Sequence, residues 1–164
     1  MQFSQKIAPC LWFDKQGEEA ANFYVGIFRN SRITSISRYG KAGQETHGQP
    51  EGAVMMVAFE LEGQTFTALN GGPLFKFNEA ISLQIFVEDQ KELDYYWDRL
   101  TKGGDPKSHV CGWLKDQYGL SWQVVPKQMI GWWEKPGEKS QRAFAAMMKM
   151  GKLDIAALER AYNG

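Results

Sequence analysis

The sequence has no excess of either charge, no long hydrophobic run, and only two cysteines and two histidines in 164 residues. Nineteen basic and nineteen acidic side chains cancel. No long-range positive field gathers nucleic acid or anionic lipid, and neither is expected as a partner. The longest uninterrupted apolar run, Ala53 to Phe59, falls far short of the roughly 18 residues that span a bilayer, so no membrane span is expected. The opening MQFSQK lacks the apolar core of a secretory signal, and the expected location is the cytoplasm. Cys10 and Cys111 beside seven oxidisable methionines suit free thiols in a reducing compartment rather than a disulfide scaffold. A phosphate loop, a Rossmann glycine fingerprint and zinc-knuckle spacing are all missing, and no cofactor is expected.

What is present is core-forming material: 43% hydrophobic residues, with six Trp, six Tyr and ten Phe. A chain of 18.6 kDa with this content should form one folded domain, 1–164. Ile7 to Phe13 is extended and apolar, with Pro9 restricting it to a strand start or edge. Glu18 to Phe28 places Ala20, Ala21, Tyr24 and Phe28 at helical spacings behind an acidic first turn. Arg32 to Tyr39 reads as a strand and Gly40 to Gly52 as a long polar loop. Ala53 to Leu61 and Gln64 to Leu69, joined by Glu62-Gly63, read as a hairpin.

The opening pattern then recurs. Ile81 to Val87 and the helix face Leu93, Tyr96, Trp97 and Leu100 repeat the first strand and helix, and adding 74 to a residue number carries Leu11 to Ile85 and Phe13 to Val87. An offset of 53 aligns Phe66 to Pro73 with Gly119 to Pro126, which makes Asn70 and Gln123 counterparts. The expected organisation is therefore α+β. Two β-α-β-β-β modules, about 5–73 and 80–126, precede a helical tail, about 127–164. In the tail, Ser140 is expected to cap a helix running to Met150 and Asp154 another carrying Ile155, Leu158 and Tyr162.

The stretches Pro9 to Tyr24, Ala68 to Pro73, Cys111 to Pro126 and Lys152 to Leu158 resemble the PhnB-like family of the vicinal oxygen chelate superfamily, which includes glyoxalase I, extradiol dioxygenases and bleomycin resistance proteins. The resemblance implies that the paired modules form a curved, cup-shaped mixed sheet, commonly in a homodimer. Some members carry the label 3-demethylubiquinone-9 3-methyltransferase. The chain lacks the glycine-rich strand-turn-helix of the usual S-adenosylmethionine-binding fold, so methyl transfer is not the expected chemistry.

Metal enzymes of the superfamily place ligands near the start of the first strand and the end of the last strand of each module. Those positions hold Ala8, Asn70, Ser82 and Gln123 here, and this set lacks the imidazole, carboxylate and thiolate donors that divalent transition metals require. No metal is expected. Strand alternation turns Ala8, Cys10 and Trp12 in the first module, and Ser82, Gln84 and Phe86 in the second, toward the cup. The expected ligand-binding residues are Cys10, Trp12, Asn70, Ser82, Gln84 and Gln123, with Phe66, Phe86 and Trp113 as further walls and Phe75 and Phe77 at the rim. His47, in the long loop, is a candidate lid residue; His109, Cys111 and Asp116 form a weaker cluster. The expected function is binding of a small molecule of unknown identity. The alternatives are a metal-dependent glyoxalase- or dioxygenase-like enzyme and an interaction protein whose cup is filled by its own side chains.

Overall fold

A computed structural model describes residues 5–164, which form two compact units that divide between Lys76 and Phe77. Residues 1–4, which include most of the opening segment read above for a signal peptide, lie outside the described residues.

The first unit is a four-stranded mixed sheet backed by one long helix. Strands β1 (Cys10–Phe13), β2 (Arg32–Arg38), β3 (Val54–Leu61) and β4 (Gln64–Asn70) lie in the order β1-β4-β3-β2. The β1–β4 pair is parallel and the others antiparallel. The expected hairpin forms because Glu62 and Gly63 take φ of 47° and 82°, the doubly left-handed turn that matches strand twist. Helix α1 (Gly17–Ile27) buries Ala20, Ala21, Tyr24 and Ile27 against the sheet, with Tyr24 stacked on Phe59 at 6.2 Å and Phe59 on Phe66 at 5.5 Å. The long loop holds one short helical turn, α2 (Gln44–His47), bounded by Gly43 and Gly48, both with left-handed backbone.

The second unit repeats the plan with one strand fewer than expected. Strands β5 (Leu83–Val87), β6 (Trp113–Lys115) and β7 (Ser121–Pro126) lie in the order β5-β7-β6, with β5–β7 parallel and β6–β7 antiparallel. Helix α3 (Gln90–Leu100) starts where Asp89 accepts from the Glu92 N–H at 2.8 Å, and Glu92 in turn accepts from the Glu88 N–H. Between α3 and β6, where the first unit has β2 and its loop, the chain instead makes glycine turns and a 3₁₀ turn at Pro106–Ser108. The shortening visible in the sequence therefore removes a strand as well as the loop.

The tail contains α4 (Gln128–Glu134), α5 (Glu138–Met147) and α6 (Ile155–Asn163). Asp154 caps α6 as expected, accepting from the Ala157 N–H at 2.9 Å. Ser140 does not cap α5 from outside. It lies in the first turn, where its hydroxyl accepts from the Gly137 N–H at 2.8 Å, and the helix ends at Met147 rather than Met150. No helix among the described residues is long and apolar enough to cross a membrane.

Candidate functional site

Alternation sorts the second sheet into two faces. Ile85, Val87, Trp122 and Val124 are buried on the side that packs on α3. Gln84, Phe86, Trp113, Lys115, Ser121, Gln123 and Val125 line a cleft on the other face, of about 920 Å³. The tail helices complete it with Met129, Ile130, Trp133, Met147 and Met148.

Three of the expected site residues meet on this face. The Gln123 side-chain amide donates to Ser82 Oγ at 2.7 Å, and the Gln84 amide donates to Gln123 Oε1 at 3.3 Å. Gln84 and Gln123 face each other because they are paired across β5 and β7. At one end of the cleft Lys115 forms an ion pair with Glu79, and that hydrogen bond holds the Glu79 carboxyl below the ordinary carboxylate range.

The expected residues of the first unit stand differently. Cys10 is exposed on β1. The Trp12 indole donates to the Gly72 carbonyl at 2.8 Å and meets Phe75 edge-on at 4.9 Å. A Cβ on Gly71 would lie 2.2 Å from the Trp12 ring, so the close approach of ring to turn requires glycine there. Asn70 is buried, with Oδ1 accepting from the Gly17 N–H at 2.8 Å and Nδ2 donating to the Val54 carbonyl at 3.1 Å. Its amide is engaged by the backbone on the helix side of the sheet. Phe66 shares that side and is core, not cup wall.

Strand register explains the difference between Asn70 and Gln123. Phe13 pairs with Asn70, whereas Val87, its counterpart, pairs with Pro126; likewise Cys10 pairs with Thr67 and Gln84 with Gln123. The Gly71 N–H donates to the Phe13 carbonyl and the Lys127 N–H to the Val87 carbonyl, which fixes the same correspondence. Gln123 is thus the counterpart of Thr67, not of Asn70. An odd slip in register puts a side chain on the opposite face.

His47 packs on Tyr39 with the rings tilted by 32° and their centres 4.5 Å apart, and its Nδ1 accepts from the Gln49 N–H at 3.0 Å. Its contacts lie within its own loop and the adjoining strand end. The His109–Cys111–Asp116 cluster does not assemble. Cys111 sits in a left-handed turn (φ 53°) rather than in a strand, His109 packs edge-on to Trp97, and both Asp116 oxygens are taken by the Tyr118 and Leu120 N–H groups and the Trp122 indole. Among the described residues no three His, Cys, Asp or Glu side chains come together in a group able to hold a metal. The two amides, one hydroxyl and one methyl group at the ligand-like positions Asn70, Gln123, Ser82 and Ala8 do not fit a divalent transition metal.

Ser121, Lys115, Glu79 and the tail's share of the cleft are not among the features expected from the sequence. Strand alternation does point to Ser121, two residues from Gln123 on one strand and so on the same face. The tail's stripes gave no address, because an amphipathic helix does not name the surface it covers.

A mixed sheet crossed by a helix, made twice, is the fold of the glyoxalase/bleomycin resistance/dioxygenase superfamily. Within it, the chain belongs to the 3-demethylubiquinone-9 3-methyltransferase family, the PhnB-like group, which it matches over residues 5–125. It is 37% identical to a PhnB protein from Bacillus cereus, with a TM-score of 0.63 over 74% of this chain and 99% of that one. A Pseudomonas aeruginosa protein at 18% identity superposes with a TM-score of 0.57, covering 75% of this chain and 98% of its own. The fosfomycin resistance protein FosX from Mesorhizobium loti, at 14% identity, gives a TM-score of 0.50 over 76% and 92%. Nothing among curated proteins matches the chain.

Proposed function

We propose that this chain binds a small molecule without a metal, and that the cleft of the second unit is the binding site. The observation that carries the reading is the hydrogen-bonded run Ser82–Gln123–Gln84, whose two amides line a cleft of about 920 Å³. Small-ligand pockets have about this size and this mixture of apolar walls with a few directed polar groups. Phe86, Trp113 and Trp133 supply flat apolar walls, and three methionines supply walls that adjust to the shape of an occupant.

The chemistry in the family's name is not the one we propose. Neither sheet is the open parallel sheet with a glycine-rich first turn that binds S-adenosylmethionine in the usual methyltransferase fold. We also propose that the protein is a cytoplasmic homodimer. In favour of self-association are the exposed large apolar side chains Leu74, Phe75 and Ile81, which are 74%, 58% and 58% accessible.

The test is a thermal-shift screen of small aromatic and carboxylate metabolites on the wild type and on Gln123→Leu. This substitution removes the amide while keeping approximate volume. Hits should stabilise the wild type, and the variant should bind them more weakly by about 1–3 kcal/mol. Hits that stabilise both proteins equally place the site elsewhere.

A further inference from the structure

Strand β7 runs along the cleft as a polarity scale. Its three cleft-facing residues are Ser121, Gln123 and Val125, and the registers set Ser121 beside Lys115, Gln123 between Trp113 and Gln84, and Val125 beside Phe86. Beyond Val125 the wall continues as Met129, Ile130 and Trp133 of α4. One end of the cleft is therefore charged and hydroxylic, the middle is amide, and the other end is apolar.

Two features of the polar end are unfinished. Ser121 is 1% exposed and its Oγ has no hydrogen-bond partner in the protein. A shielded hydroxyl in that condition is unfavourable unless something satisfies it. Lys115 is mostly covered, with a side chain 29% exposed, and its partner Glu79 reaches it from the segment before β5 with a side chain 64% exposed. A pairing with so exposed a carboxylate exchanges readily with another anion. With Glu79 displaced, the lysines Lys107 and Lys115 remain at this end, and the other carboxylate of the lining, Glu134, lies on α4 beside the apolar wall.

Resting on the cleft as the binding site, we infer that its ligand is an amphipathic carboxylate. The head group takes the place of Glu79 on Lys115 and accepts a hydrogen bond from Ser121 Oγ. The apolar body lies along Val125 and Phe86 toward Met129 and Trp133, and the amides of Gln84 and Gln123 meet any polar substituent between them.

Isothermal titration of the full chain with three probes of one shape tests this: 4-phenylbutyrate, 4-phenyl-1-butanol and 4-phenylbutylamine. The acid should bind at least about tenfold more tightly than the alcohol, and the amine should bind most weakly. Glu79→Gln should tighten the acid several-fold and leave the alcohol unchanged. Lys115→Met should remove the acid's advantage while the alcohol still binds, and that retained binding also reports an intact cleft. Ser121→Ala should weaken the acid about threefold or more with no loss of thermal stability. Equal binding of acid and alcohol to the wild type, tightest binding of the amine, or a Glu79→Gln variant that gains nothing for the acid overturns the carboxylate inference and leaves the cleft as the site. Failure of all three probes overturns the cleft reading as well, and a cleft closed by a second copy of the chain gives that result.

Discussion

Asn70 joins three segments of the first unit. Its Oδ1 caps the α1 N-terminus through Gly17, its Nδ2 reaches Val54 at the start of β3, and its own carbonyl accepts from the Tyr39 hydroxyl at 2.6 Å. Helix α1 has no capping side chain from its own flank, so a residue distant in sequence supplies the acceptor that an N-terminus needs. Gly17 is required for the same reason, since a Cβ there would come within 2.7 Å of Asn70 Oδ1. Asn70→Ala leaves a buried N–H and a carbonyl without partners, and should lower stability by about 2–3 kcal/mol in urea denaturation. Ligand affinity should be unchanged; a stable variant with impaired binding would contradict the structural role. The type of residue 70 was legible in the sequence, but its duty was not. A strand-end amide looks the same whether it faces a ligand or a helix terminus, and only the register tells them apart.

Among the elements, the two strand-helix openings, the hairpin and its Glu62-Gly63 turn were readable because hydrophobic period and turn chemistry are local signals. The missing strand of the second unit and the place of the tail were not, because both are settled by pairing over long distances. The tail docks on α3 of its own unit. Gln90 accepts from the Ile155 N–H at 2.9 Å and donates to Asp94 and to the Leu153 carbonyl, and Lys152 pairs with Asp94 at 2.7 Å and Asp98 at 3.0 Å. Hydrogen bonds from Lys152 and then Gln90 hold the Asp94 carboxyl below its ordinary range. Partial burial pulls Lys152 down, but its two aspartates outweigh this and leave it raised. A depressed carboxyl contributes stability above its unfolded-state pKa and loses it as pH falls through the folded value. Asp94→Asn should therefore destabilise the protein at neutral pH by less than about 1 kcal/mol, since the pair is partly exposed. The difference should vanish in strongly acidic urea melts. A deficit that persists in acid would mean that Asp94 acts through packing rather than charge.

For the whole molecule, the balanced charge and the exposed apolar side chains bear on assembly and on binding. The homodimer we propose should sediment near twice 18.6 kDa at micromolar concentration, and a single monomeric species would contradict it. The cleft is the central claim, and its methionines offer the most direct probe of it. With methionine methyl groups labelled for NMR, Met129, Met147 and Met148 report from the cleft wall, whereas Met55 and Met56 report from the first unit. Titration with 4-phenylbutyrate should shift the first three resonances along one saturable curve and leave the last two in place. Saturable shifts at Met55 and Met56 with the cleft methionines unmoved would contradict the account.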